Sequence, residues 1–157
     1  MKKIAALFLA AAAIGIAQSK YEGPKPEKPD LPYLRHAAKL IPLETGQAKE
    51  ETRKNEQWAA VAGASSPVRT PLAEPFFVME MGRVDPKLFE LYRVEPKNGQ
   101  REVLISKKNK QGSKPLRIMV TPLGERLYRI DVNETLDNGE YCLSPSGSNN
   151  VFCFQVY

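Results

Sequence analysis

The sequence predicts an all-β sandwich of about seven to nine short strands behind an extended N-terminal segment. Three observations predict it. Short apolar runs recur from Pro75 onward, each closed by a turn signal. Two glycine-containing turns, Asn98-Gly99 and Gly147-Ser148, stand between runs that pair well as hairpins. Thirteen prolines and ten glycines in 157 residues argue for many turns and against a helical bundle.

The N-terminus comes first. Lys2 and Lys3 precede an apolar run from Ile4 to Ile14, and Gly15-Ile16-Ala17 supplies small residues for a cut before Gln18. The run falls short of the roughly 20 apolar residues that span a bilayer. Residues 1–17 therefore read as a cleavable signal peptide of bacterial style, for a periplasmic or extracellular protein. No second long apolar run follows, so no membrane span is expected in the mature chain. Residues 18–38 read as a proline-rich linker, because QSKYEGPKPEKPD has too little apolar surface to offset its ordering entropy.

Residues 39–157 read as the domain. Its first part, 39–67, is open between first strands and a polar helix or loop. Leu40 to Leu43 and Trp58 to Ala62 suit strands. Thr45 to Gln57 is polar all round, either a marginal helix or a flexible connector. Phe76 to Met81 is a strand ended by Gly82. Leu88 to Glu95 and Arg101 to Ser106 flank Asn98-Gly99, a type I′ signal. That register sets Val94 against Val103 and Tyr92 against Ile105. It also sets Glu95 against Glu102, which then need water or a basic neighbour. Pro96 fits only at a sheet edge. Lys107 to Lys114 is a loop, and Leu116 to Thr121 and Arg126 to Val132 are strands around Pro122-Leu123-Gly124. Glu140 to Pro145 and Asn150 to Tyr157 flank Gly147-Ser148, a fit to a type II′ turn with glycine first.

In that last register Leu143 faces Phe152 and Tyr141 faces Phe154 on the core side. Cys142 faces Cys153 on the outer side, a disulfide that export permits. A two-residue turn makes them a hydrogen-bonded pair with Cα atoms about 5.5 Å apart, the less comfortable position, whereas a four-residue turn would make the bridge diagonal. Two cysteines and one distant histidine are too few for a metal site.

Leu136-Asp137-Asn138-Gly139-Glu140-Tyr141 resembles the tyrosine corner of immunoglobulin-like and fibronectin type III-like domains. The resemblance implies an immunoglobulin-like Greek-key sandwich, with Leu136, Gly139 and Tyr141 as the structural corner and the Tyr141 hydroxyl bonded to the upstream backbone. Cys142 directly follows the tyrosine and its partner lies eleven residues on, so the bridge differs from the inter-sheet disulfide of antibody domains. Trp58 is likewise not placed like their buried tryptophan. The run from RTPLAEPFF through GEYCLSPSGSNNVFCFQVY is similar to uncharacterised exported bacterial proteins of this size, which implies no activity.

No catalytic constellation emerges. His36 is the single histidine, in the linker-like part. No GxSxG, GxxxxGK[ST] or GxGxxG occurs. Glu80, Asp85, Glu90, Glu95, Glu102, Asp131 and Glu134 lie in or beside strands, and nothing selects two of them as an acid–base pair. The oxygen-rich run 131–138 fails the EF-hand pattern at Leu136, leaving Asp131, Asn133 and Asp137 as a weak Ca²⁺ candidate. Net charge +5 is mildly basic and falls short of a nucleic-acid signature. Lys107, Lys108, Lys110, Lys114 and Arg117 form the most distinctive charged feature, a candidate anion or glycan contact without interleaved aromatics. The expectation is an exported, non-enzymatic, cofactor-free module of the envelope: structural, adhesive or protein-binding. A carbohydrate- or cell-wall-binding module, Ca²⁺-assisted or not, is the alternative. A hydrolase, the third reading, needs a pocket with two convergent carboxylates.

Overall fold

A computed structural model of the chain describes residues 20–108 and 110–157. The signal-peptide reading of residues 1–17 lies outside the described residues. In chain order the strands are β1 (Tyr33–His36), β2 (Lys39–Pro42), β3 (Glu44–Gln47), β4 (Lys49–Arg53), β5 (Glu56–Ala62), β6 (Arg69–Thr70) and β7 (Phe76–Glu80). After a 3-10 turn at Pro86–Leu88 come β8 (Phe89–Lys97), β9 (Gln100–Lys107), β10 (Lys110–Gln111), β11 (Ile118–Pro122), β12 (Leu127–Val132), β13 (Gly139–Pro145) and β14 (Asn150–Val156). Among the described residues no helix is long and apolar enough to cross a membrane.

The fold is all-β, with two sheets arranged as a sandwich. One has five strands, in the order β11-β12-β7-β1-β2. The other has nine, in the order β3-β14-β13-β8-β9-β5-β4, with β10 beside β9 and β6 beside β14. Pairing is antiparallel except between β6 and β14. The main core lies between the sheets. Leu34, Phe77, Met79 and Ile130 of the smaller sheet meet Leu91, Tyr141, Leu143, Phe152 and Phe154 of the larger. Phe77 and Phe154 have ring centroids 5.1 Å apart. Each such side chain contributes about 1.5–3 kcal/mol by leaving water.

Several expectations need correction. The strands number fourteen among the described residues, not seven to nine, because residues 33–62 contribute five. The linker reading of 18–38 ends too late, since Tyr33 and Leu34 of β1 are buried in the sandwich. Asp30 fastens the segment before them. Its carboxylate accepts the backbone N–H groups of Gly82, Arg83 and Val84 at 2.8–2.9 Å. The polar stretch Thr45 to Gln57 is neither helix nor connector, but β3, β4 and the start of β5. Its charges are accommodated by pairing: Arg53 bonds Glu51 and the buried Glu102, and Glu44 bonds Arg101. His36 closes β1 and is exposed.

The Asn98-Gly99 hairpin has the expected register, Glu95 opposite Glu102. Asn98 and Gly99 have φ of 52° and 76°, the two positive values a type I′ turn requires. Glu102 takes Arg53 and Lys97 as its basic neighbours, and Glu95 takes Arg93. Pro96 sits at an edge, since β13 pairs with β8 only as far as Val94. The last hairpin keeps its register, with Cys142 opposite Cys153, but turns differently. Ser148 N–H bonds Pro145 O, so Gly147, φ 76°, stands third in the turn rather than leading it. Strands ending at Pro145 and Asn150 leave a four-residue loop, which shifts the hydrogen-bonding phase by one residue. The disulfide is therefore not diagonal. The cysteines remain directly opposite, 4.1 Å apart at Cα, the close spacing of a non-hydrogen-bonded pair.

Candidate functional site

The nine-stranded sheet is rolled. Its order begins at β3 and ends at β4, which only Ala48 separates in the chain. Alternation along each strand then gives it two faces. Tyr141 and Leu143 of β13 face the sandwich core, and Cys142 faces the inside of the roll. There Cys142 and Cys153 pack with Val61, Val94, Val103 and Val151. The expected outer position of the bridge is thus buried, at 3 % and 0 % exposure, because β5 and β9 cover that face. Gly46 of β3 faces the same interior: a Cβ there would make ordinary contact with Val151 at 3.5 Å and Val61 at 3.7 Å.

One end of the roll is closed by Arg101, whose side chain has no exposed surface. Its guanidinium donates to both Glu44 carboxylate oxygens at 2.7 and 2.8 Å, and to the carbonyls of Gly63 and Ala62 at 2.8 Å. Glu140 lies 3.6 Å away and accepts Ser65 Oγ–H and Ser66 N–H. Burial raises the Glu44 pKa, but the Arg101 hydrogen bonds outweigh it and hold the carboxyl below its ordinary value.

The other end is open. β8 leaves β9 beyond Glu95, and β10 takes over the vacated edge at Ser106 and Lys107. The resulting cavity of about 210 Å³ has an aliphatic floor that includes Val61, Val94, Val103 and Ile105. Glu50, Glu90, Tyr92, Ser144 and the turn 145–149 complete its lining. Tyr92 Oη donates to Glu90 Oε2 at 2.9 Å. Burial and the Glu90 carboxylate push the Tyr92 hydroxyl pKa up to about 12, so it remains a donor at neutral pH. Chemically, the mouth offers an apolar slot, hydroxyl groups and two carboxylates.

The sequence reading had Tyr92, Val94, Val103 and Ile105 as one apolar face, and Glu90 among its acidic residues, but did not join them into a site. It missed Arg101 and Glu140 altogether. No local signal marks them, because Arg101 meets Glu44 fifty-seven positions away.

The basic group is partly assembled. Lys107 ends β9 and bonds Glu56 at 3.0 Å. Lys108 N–H bonds Asn55 O, joining two turns into a tip that also carries Lys54, and Lys110 lies in β10. The expected loop at 107–114 is thus largely a short hairpin. Lys114 is exposed beyond it. Arg117 stands apart, after Leu116 has bridged to Leu91, and bonds Glu134 at 3.1 Å. The Ca²⁺ candidates are not brought together for a cation. Both Asp131 oxygens accept Arg129 Nε–H, Asp137 faces Arg93 at 3.9 Å, and Asn133 N–H bonds Arg117 O. Among the described residues no group of three His, Cys, Asp or Glu side chains is arranged to hold a metal. Asp85 caps the 3-10 turn through Lys87 N–H, and Glu80 closes β7. At the corner, Leu136 is buried, a Cβ on Gly139 would stand 3.1 Å from Arg93, and Tyr141 Oη donates to Asp137 O at 2.7 Å. Comparison of the chain with family models, with curated proteins and with solved structures finds no match.

Proposed function

We propose that the chain is an exported, non-enzymatic binding protein of the envelope that holds a small ligand with an apolar body in the mouth of its rolled sheet. The observation that carries this reading is the mouth itself: an aliphatic floor under a polar rim, on a scaffold closed behind by Arg101 and tied through its middle by a disulfide. Pockets that orient small molecules combine an apolar lining with a few placed polar groups. Export is supported by the character of residues 1–17 and by a disulfide, which belongs to oxidising compartments. Kinship with immunoglobulin-like and fibronectin type III-like domains is part of the same proposal, supported by the Tyr141 hydrogen bond.

A second reading has its own support. The tip carrying Lys54, Lys107, Lys108 and Lys110 suits an anionic cell-wall polymer. Amide-resolved NMR of residues 18–157 separates the two. Titration with a library of small aromatic and aliphatic compounds is expected to shift Ala59, Tyr92, Ile105 and Ser144. Ala59→Leu, which narrows the slot, is expected to abolish those shifts. Shifts confined to Lys54 and 107–110, with polyanions only, would transfer the function to the tip. Turnover of chromogenic glycosides would end the non-enzymatic reading, since Glu50 and Glu90 line one cavity.

A further inference from the structure

About half of the acidic side chains have basic partners among the described residues. Glu44 and Glu140 have Arg101; Glu51 and Glu102 have Arg53. Glu56 has Lys107, Glu95 has Arg93, Asp131 has Arg129 and Glu134 has Arg117. Glu50 and Glu90 belong to the other half, and of that half they are the two that line the mouth. Neither forms an ion pair among the described residues, and both line the mouth of the roll. Among the described residues no lysine, arginine or histidine lines that cavity. The chain as a whole has 23 Lys and Arg against 18 Asp and Glu, so a mouth with two carboxylates and no cation runs against the composition. Glu90 is also held in place, because its Oε2 accepts the Tyr92 hydroxyl.

We infer that the mouth selects a small organic cation: an ammonium head set against Glu50 and Glu90, with an apolar body on the aliphatic floor. The inference rests on the proposed ligand-binding role of the mouth and names the class of its ligand. Two physical effects favour this class. Carboxylates beside a low-dielectric floor attract a cation more strongly than carboxylates in bulk water. Tyr92 adds an aromatic ring at the same rim, and ring faces attract ammonium groups by about 0.5–2 kcal/mol. An anionic ligand would meet two like charges with no compensating group. A neutral ligand gains the floor alone.

Three probes on one skeleton test this: benzyltrimethylammonium, benzyl alcohol and benzoate, each titrated into residues 18–157 and followed at Ala59, Tyr92, Ile105 and Ser144. The ammonium probe is expected to bind about tenfold more tightly than the alcohol, and benzoate more weakly than either. Glu50→Gln/Glu90→Gln is expected to bring the ammonium probe to the alcohol's affinity. Glu50 is exposed, and the amide oxygen introduced by Glu90→Gln can still accept from Tyr92, so the fold persists, as an unchanged amide spectrum elsewhere will show. Equal affinity for ammonium and alcohol, or tighter benzoate, overturns the cation inference and keeps the mouth as a binding site. Silence of all four reporters with all three probes overturns both.

Discussion

Arg101→Met would open the closed end of the roll. The substitution removes a two-pronged pair with Glu44, two hydrogen bonds to the Gly63 and Ala62 carbonyls, and the 3.6 Å attraction to Glu140. Methionine fills much of the volume, so the loss is electrostatic more than steric. Glu140, 3 % exposed, would keep Ser65 and Ser66 but lose its cation. Breaking a buried ion pair by removing one partner costs about 3–5 kcal/mol. For a domain of this size 1 kcal/mol corresponds to about 3–4 °C, so the melting temperature should fall by roughly 10–20 °C. Adding Glu140→Gln relieves the stranded charge, so the double variant should melt at or above Arg101→Met alone. Calorimetry of the wild type and both variants at pH 7 is the assay. A fall of less than about 3 °C for Arg101→Met would refute the idea that this side chain clamps the roll, and a strictly additive double variant would refute its coupling to Glu140.

Replacing Cys142 and Cys153 with alanine should cost about 3 kcal/mol on the chain-entropy estimate for a short loop, measured by urea unfolding. The native disulfide should resist reduction without denaturant, because both cysteines are buried; rapid alkylation under native reducing conditions would contradict that packing. Tyr141→Phe should lose about 1 kcal/mol with the bond to Asp137 O, and an unchanged urea midpoint would show that the corner bond adds no stability. Asp30 sets an acid limit. Burial raises its pKa, but the N–H groups of Val84, Arg83 and Gly82, together with Arg126, outweigh it and lower the carboxyl below its ordinary value. A lowered folded pKa means that its stabilisation is fully present above about pH 4 and is lost as pH falls through the lower folded value. Asp30→Asn should therefore flatten the stability profile below about pH 4, and an unchanged profile would count against the anchor.

Local chemistry in the sequence determined the β class, both hairpin registers and the cysteine pairing. Each follows from residues a few positions apart: Asn98-Gly99 needs positive φ, and apolar alternation leaves one productive register. The bond from the Tyr141 hydroxyl to the backbone of Asp137 was expected from the resemblance of residues 136–141 to a tyrosine corner, not from periodicity or turn chemistry. The strands β3 and β4 were not legible, because strand signals assume an apolar face, and these strands are polar, with charges paired to partners distant in sequence. Glu44 meets Arg101 fifty-seven positions away, and Arg53 meets Glu102 forty-nine away. The candidate site was hidden similarly. Tyr92 and Ile105 look like partners in one hairpin, and only the departure of β8 toward β13 unpairs them and leaves both in the lining of a cavity. The basic run looked like one patch until Leu116 bridged to Leu91 and carried Arg117 to Glu134. Tertiary structure alone decided the roll, its closed end and its mouth, because a strand's choice between two neighbours depends on which edges the rest of the fold leaves unpaired.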